Sequence, residues 1–342
     1  MKLSLYTSLL PLCLGLVACH PYEEWNDDAL GNFDALSSII DKHYCYLDEK
    51  GVDWPSVVAE YRSRITPATT QRELFDICAE MLATLRDGHV NLSSGFDTFY
   101  YRNWWSDYPQ DFNLRTLQEH YLGFDYSSTS GLSYKTLTTP SGRKAGYIYC
   151  PSFSVSIGET NLSYILASFT DCRGLIIDIR DNGGGLLTSA ETLVRRFIAE
   201  PCTVGYIRHK TGPGHNDFSA PYPVTYSPAP AGQVSWSKPV VVLTNRSCYS
   251  AANDFVMAMK ALPQVKIIGA RTGGGAGLPF SAGLPNGWNV RFSACPMTDA
   301  AGHSVEGGID PSEGCEVHSP AEELAAGRDN ILDFALTYMD TI

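Results

Sequence analysis

Basic residues are scarce in this chain. Lys and Arg number 25 against 37 Asp and Glu, a formal net charge of −12 over 342 residues. That deficit leaves no basic face for nucleic acid and none for an anionic membrane surface, so neither is expected as a partner. Metal-binding spacings are missing too. No C-x-x-C or H-x-x-x-H occurs, and no metal is expected. No Gly-Lys-Ser/Thr follows the turn Asn182-Gly183-Gly184-Gly185, which excludes a nucleotide P-loop, and no cofactor is implied. Long apolar runs are absent outside the first 18 residues. There Lys2 precedes an apolar stretch that ends in Leu16-Val17-Ala18-Cys19. It is too short for a stable membrane span and has the layout of a signal peptide.

What is present reads as an exported globular protein. Hydrophobic residues make up 44% and charged residues 18%, and the length suffices for one large or two smaller domains. Leu-Val-Ala-Cys looks like a bacterial lipobox, which implies a leader over 1–18 and lipid on the thiol of Cys19; an ordinary secretory signal is the alternative. Residues 19–28 are polar and acidic and read as a tether. An acidic stretch in that place resembles surface-export signals of some Gram-negative lipoproteins. The expected address is the bacterial cell envelope, as an outer-membrane lipoprotein facing the periplasm or the exterior. The lipid is then the only membrane contact. Eight further cysteines, Cys45 to Cys315, leave disulfide pairing open.

Residues 29–92 carry three apolar stripes at helical spacing. The first runs Phe33, Leu36, Ile39, Ile40 and Tyr44; the second is Trp54, Val57, Val58 and Tyr61. The third takes Leu74, Ile77, Met81 and Leu85, with cap signals at Thr69 and Thr70. A small helical domain is expected, which a partner-binding helix bundle would also satisfy. Residues 93–143 are rich in aromatics, including Phe96, Trp104, Trp105 and Tyr108, and serve either as a core or as a platform for substrate. From residue 144 the pattern is α/β. Buried strands at 145–149, 175–179, 240–243 and 265–269 alternate with helical stretches near 160–169 and from Ser250. Ser250 sits where a helix begins at the rim of a sheet. A serine there is ordinarily a cap, but the helix dipole and free N–H groups also favour a developing negative charge.

Three blocks in order decide between those readings: Leu85-Arg-Asp-Gly-His-Val-Asn-Leu92, the strand-turn-helix of Gly174–Ile198, and Lys238–Gly277 around Ser250-Ala251-Ala252-Asn253. Together they resemble the core of family S41, the tail-specific and tricorn-like serine peptidases, over roughly residues 30–90 and 145–320. The resemblance implies the ClpP/crotonase-like α/β core of that family over 144–342, with an N-terminal helical domain. In the position of a PDZ domain, 93–143 is too short and implies a small β-rich insert. It implies Ser250 as nucleophile and, from the L-x-D-G-H block, His89 as general base. An imidazole is suited to take a serine proton near neutrality. Tail-specific members place a lysine twenty-five residues after the serine, where this chain has Gly275. The tricorn-like branch uses Ser, His and Glu instead, and Val305-Glu306-Gly307-Gly308-Ile309-Asp310-Pro311 points to Glu306 as the carboxylate that orients the imidazole. Gly88 stands where that branch carries a second polar residue.

Ala251 with Gly184 or Gly185 would supply an oxyanion hole, since glycine lets the backbone approach a substrate carbonyl. Cys248 is a rival nucleophile by position, or a small buried hydrophobe. The function expected is that of a serine endopeptidase-type hydrolase acting on peptide or protein substrates. A catalytically inactive binder of peptide or glycan on the same fold is the alternative, and ester hydrolysis is a third use of the same groups.

Overall fold

The computed structural model describes residues 24–342. The leader, Cys19 and the first part of the tether lie outside the described residues. Three helices open the chain: α1 (Ala29–His43), α2 (Trp54–Arg62) and α3 (Gln71–Ala83). Their starts are chemically marked. Asp28 accepts the Gly31 N–H at 2.7 Å, and Thr70 and Glu73 cap α3 reciprocally. A hairpin follows, β1 (Asn91–Ser93) and β2 (Thr98–Tyr100), then two single helical turns, α4 (Asn103–Ser106) and α5 (Leu114–Thr116). The chain continues through β3 (Ser127–Thr129), β4 (Leu132–Thr138), β5 (Lys144–Tyr149), α6 (Glu159–Ser168), β6 (Leu175–Asp178) and α7 (Leu187–Val194). Next come β7 (Cys202–Ile207), β8 (Tyr222–Tyr226), β9 (Val240–Thr244), α8 (Ala251–Lys260) and β10 (Val265–Gly269). The last elements are β11 (Leu278–Gly283), β12 (Asn289–Cys295), β13 (Met297–Asp299), α9 (Ala321–Ala325) and α10 (Asn330–Thr341).

The central sheet runs in the order β10, β9, β6, β5, β4, β3. Its first four strands are parallel and β4 and β3 are antiparallel. Both faces are covered, which is why these strands read as unbroken apolar runs. Side chains alternate between the faces. Leu175, Ile177, Val240 and Val242 join the core under α6, α7 and α8. Ile176, Val241 and Leu243 join the core under α10, with Ile331, Leu332, Ala335 and Met339. Each such side chain contributes roughly 1.5–3 kcal/mol by burial.

A second sheet, in the order β11, β12, β1, β2, packs against the three N-terminal helices through Val290, Phe292 and Trp288. A third joins β13, β7 and β8.

Residues 93–143 are not a body of their own. β2 closes the second sheet, whereas β3 and β4 extend the central sheet past β5, with Ser133 to Thr138 paired to Tyr149 to Lys144. A boundary after residue 143 therefore falls inside a continuous ladder. Among the described residues no helix is long and apolar enough to cross a membrane. All eight described cysteines are free thiols.

Candidate active site

β9 ends at Thr244, and a five-residue turn delivers Ser250 to the start of α8. Ser250 has φ 56° and ψ −123°, a conformation that a side chain rarely adopts and that costs on the order of 1–3 kcal/mol. Its hydroxyl makes no capping hydrogen bond. The ordinary reading of a helix-start serine is thereby removed, because the strain serves no cap. The Ser250 N–H donates to the Gly274 carbonyl at 2.9 Å, which ties the turn to the glycine-rich segment after β10.

His89 lies in the loop between α3 and β1, and its backbone N–H donates to Asp87 Oδ1 at 2.8 Å. Its Nε2 is 3.0 Å from Ser250 Oγ, across 161 residues of sequence. The ring packs edge-on against Tyr249, with centroids 5.0 Å apart. Burial lowers the imidazole to about 4, against the opposing pull of Asp87 and the Gly277 backbone; Arg291 and Lys50 push it down further. The ring is therefore neutral at pH 7, the form that can accept a proton. Its buried Nδ1 is left to the Gly277 backbone, without a hydrogen bond of good geometry.

The expectation for Glu306 needs correction. It does not hold the imidazole. Its Oε1 lies 2.8 Å from Lys50 Nζ, and its Oε2 accepts the Ala276 N–H at 2.9 Å. Lys50 Nζ is also 3.7 Å from Asp87 Oδ2 and donates to the Arg86 carbonyl at 3.3 Å. A partly exposed lysine placed between two buried carboxylates explains the arrangement: Glu306 is drawn to that charge rather than to a neutral ring. Burial and the Asp87 charge raise the Glu306 carboxyl, and Lys50 opposes them. For Asp87 burial acts upward but is outweighed by Lys50, His89 and the hydrogen bonds it receives, so it stays below the usual carboxylate range. Asp87 also accepts from Tyr44, Ser293 and Tyr249 hydroxyls at 3.0, 2.8 and 3.3 Å. Asp87, rather than Glu306, fixes the loop that carries His89.

The proposed oxyanion donors divide. The Gly184 N–H is committed to Asn182 Oδ1 at 2.9 Å inside its own turn, so it is withdrawn from the site. The N–H groups of Gly185 and Ala251 have no partner among the described residues, and both residues line the cleft with Ser250 and His89. That cleft holds about 360 Å³, with Leu186, Leu187, Met297 and Val305 as apolar wall. Cys248 is no rival. It is fully buried, donates to the Ile179 carbonyl, and burial pushes its thiol far up.

Two glycines account for the departures from the family pattern. Gly275 has φ 76°, and a Cβ there would lie 2.3 Å from the Tyr249 ring, so no lysine fits at that position. A Cβ on Gly88 would lie 2.5 Å from Trp104 Nε1. Trp104 stacks on Tyr249 at 4.0 Å and occupies the space a second polar residue would need. Within the aromatic segment Trp104 braces the turn before Ser250 and Phe112 joins the core under α10, while Phe96, Tyr100 and Tyr108 are about half exposed. Lys50 and Tyr249 escaped the sequence reading, and Trp104 entered it only as one of the aromatics of 93–143. Lys50 stands in Asp48-Glu49-Lys50-Gly51, which looks like a solvated turn, and only the Asp two residues before His89 carried a local signal.

A strained serine at a helix start, bonded to a desolvated imidazole beside two idle N–H groups, defines the class as a serine-hydrolase site on an α/β core. Comparison with known proteins agrees. Residues 144–313 match peptidase family S41, and residues 21–83 match the tricorn protease C1 domain. A crystal structure of a candidate peptidase from Parabacteroides merdae is 45% identical and superposes with a TM-score of 0.86, over 93% of this chain and 99% of that one. The chain belongs to peptidase family S41. Tricorn protease of Thermoplasma acidophilum is 27% identical over 56% of this chain and 16% of its own length. Carboxy-terminal processing protease CtpB of Bacillus subtilis is 24% identical over 50% of this chain and 34% of its own. The chain therefore spans about a third or less of these two relatives. Mature CPAF complexed with lactacystin shares the fold, with a TM-score of 0.71 at 13% identity over 92% of this chain.

Proposed function

We propose that this protein is a serine peptidase in which Ser250 is the nucleophile and His89 the general base. The observation that carries the reading is the 3.0 Å approach of His89 Nε2 to Ser250 Oγ. As Oγ attacks the peptide carbonyl, its proton passes to Nε2 and the new C–O bond leaves negative charge on the carbonyl oxygen. The N–H groups of Gly185 and Ala251 receive that oxygen, helped by the N-terminus of α8. Collapse breaks the C–N bond, and Nε2 returns the proton to the departing amine. Water activated by the same imidazole then releases the acyl group. Glu306 acts at one remove. With Asp87 and Lys50 it forms a buried charge cluster in which the Asp87 carboxylate, the nearer of the two to His89, offsets the imidazolium as it forms.

The test is intact-mass labelling with a fluorophosphonate. One adduct is expected on the wild type, none on Ser250→Ala, and labelling at least about 100-fold slower on His89→Ala. An adduct that survives Ser250→Ala would overturn the assignment. On the Leu-Val-Ala-Cys sequence alone we also propose that lipid on Cys19 holds the protein in the cell envelope. Cys19→Ser should move it from the membrane fraction to the soluble fraction; unchanged partitioning would refute the anchor.

A further inference from the structure

The cleft beside Ser250 carries one charged side chain that nothing else in the protein engages. Arg291 lines it and makes no ion pair or hydrogen bond among the described residues. Half of the sixteen arginines are ion-paired to a carboxylate, and Arg291 is among those that are not. Arg271 pairs with Asp310, and Arg180 and Arg196 are buried and ion-paired.

The second sheet explains its placement. Along β12, Val290 and Phe292 turn into the helical core, whereas Arg291 and Ser293 occupy the other face. Ser293 on that face donates to Asp87, and Asn91, directly opposite Arg291 in register, donates to the Gly88 carbonyl. Arg291 is thus held at the same wall as the His89 loop, close enough for its charge to act on the imidazole.

The other charges near the cleft do not answer it. Asp254 lines the cleft but is only 7% exposed and accepts the Tyr226 hydroxyl at 3.0 Å. Asp87 and Glu306 are buried around Lys50. His89 is neutral. Asp254 keeps Oδ1 buried without a partner, so the accessible charge a peptide meets in the cleft is that of Arg291, a planar fork of donors suited to a carboxylate.

We propose that Arg291 reads a carboxylate on the substrate, so that peptides bearing an acidic group next to the scissile bond are the preferred class. Two sources share that chemistry: an Asp or Glu side chain, and the free C-terminus of a short peptide. The anion would also withdraw from His89 a cationic influence that holds its basicity down, so binding and base strength are coupled. The turnover arm of the test rests on the serine-peptidase reading, whereas the binding arm does not.

The experiment uses the full-length protein and degenerate hexapeptide pools made in matched pairs. One pair differs only as C-terminal acid against amide, the other only as Glu against Gln at internal positions. Cleavage is followed by mass spectrometry for the wild type, and affinity is measured on Ser250→Ala. The acid member of at least one pair should be favoured by about tenfold or more, and the pair that shows it names the source. Arg291→Gln should abolish the preference, Arg291→Lys should retain part of it, and rising salt should weaken it. Equal handling of both members in both pairs would overturn the proposal, as would a preference that survives Arg291→Gln. Selective binding to Ser250→Ala with no cleavage by the wild type would instead defeat the peptidase reading and leave the carboxylate subsite standing.

Discussion

The behaviour of His89 follows from where its ring is kept. Taking an imidazole out of water disfavours the charged form, and here that effect outweighs the nearby Asp87. Two consequences separate cleanly in pH. For catalysis, if His89 is the base as proposed, the free enzyme keeps it neutral down to about pH 4, so the acid limb of kcat/KM should fall near there rather than near the ordinary histidine value. A limb centred at 6.5 would mean that the working site is solvated. For stability, the folded state binds this proton only below about pH 4, while the unfolded chain binds it below about 6.5. Stability is therefore lost as pH falls between those values, by up to roughly 3 kcal/mol for this group. His89→Asn, which cannot titrate, should remove that part of the acid sensitivity in denaturant titrations at pH 7 and 4.5.

At the scale of elements, what could be read in advance depended on whether local chemistry settles it. Buried strands such as Val240–Thr244 and the capped helix Gln71–Ala83 announce themselves through apolar runs, periodicity and the Thr70–Glu73 pair. The turn that carries Ser250 was visible for the same reason: it lies between a buried strand and an amphipathic helix. The destination of residues 93–143 was not visible, because an edge strand joins whichever sheet offers a free ladder. β4 found β5, and β2 found β1. Glu306 was located near the site but given the wrong neighbour. Its partner is Lys50, more than 250 residues away in sequence, and no periodicity links the two. The same limit hid Trp104. Its reason for existing is the space over Gly88 and the face of Tyr249, a contact that three separate loops make together. Single-residue motifs survive translation into sequence, whereas a network of long-range charge pairs does not.

At the scale of the molecule, the N-terminal helical unit and the peptidase core meet at the candidate active site. Lys50 follows α1 and belongs to the stretch that matches the tricorn C1 domain, yet its ammonium is bonded to Glu306 of the core and lies beside Asp87. That ammonium also lies over the Tyr44 and Tyr46 rings, 5.9 and 5.6 Å from their centroids. The helical unit therefore contributes charge to the site as well as apolar surface. Removing that charge tests the coupling. Lys50→Met keeps much of the apolar stem and leaves two buried carboxylates without their cation, a change that costs about 3–5 kcal/mol when a buried pair loses one member.

The pH dependence of that cost identifies its origin. Lys50 keeps the folded-state pKa of Asp87 low and opposes the raised pKa of Glu306. Without it both groups shift upward in the folded state, so the variant loses most at pH 7–8, where the unfolded chain would leave both ionised. As pH falls towards 4 the folded variant takes up protons and the deficit should narrow. Lys50→Arg should restore much of the stability, since it returns the charge. Guanidinium unfolding of the wild type and both variants at pH 8 and 4.5 measures this directly. A deficit equal at the two pH values would show that Lys50 acts through packing, and the helical unit would then be a structural support rather than part of the electrostatics around His89.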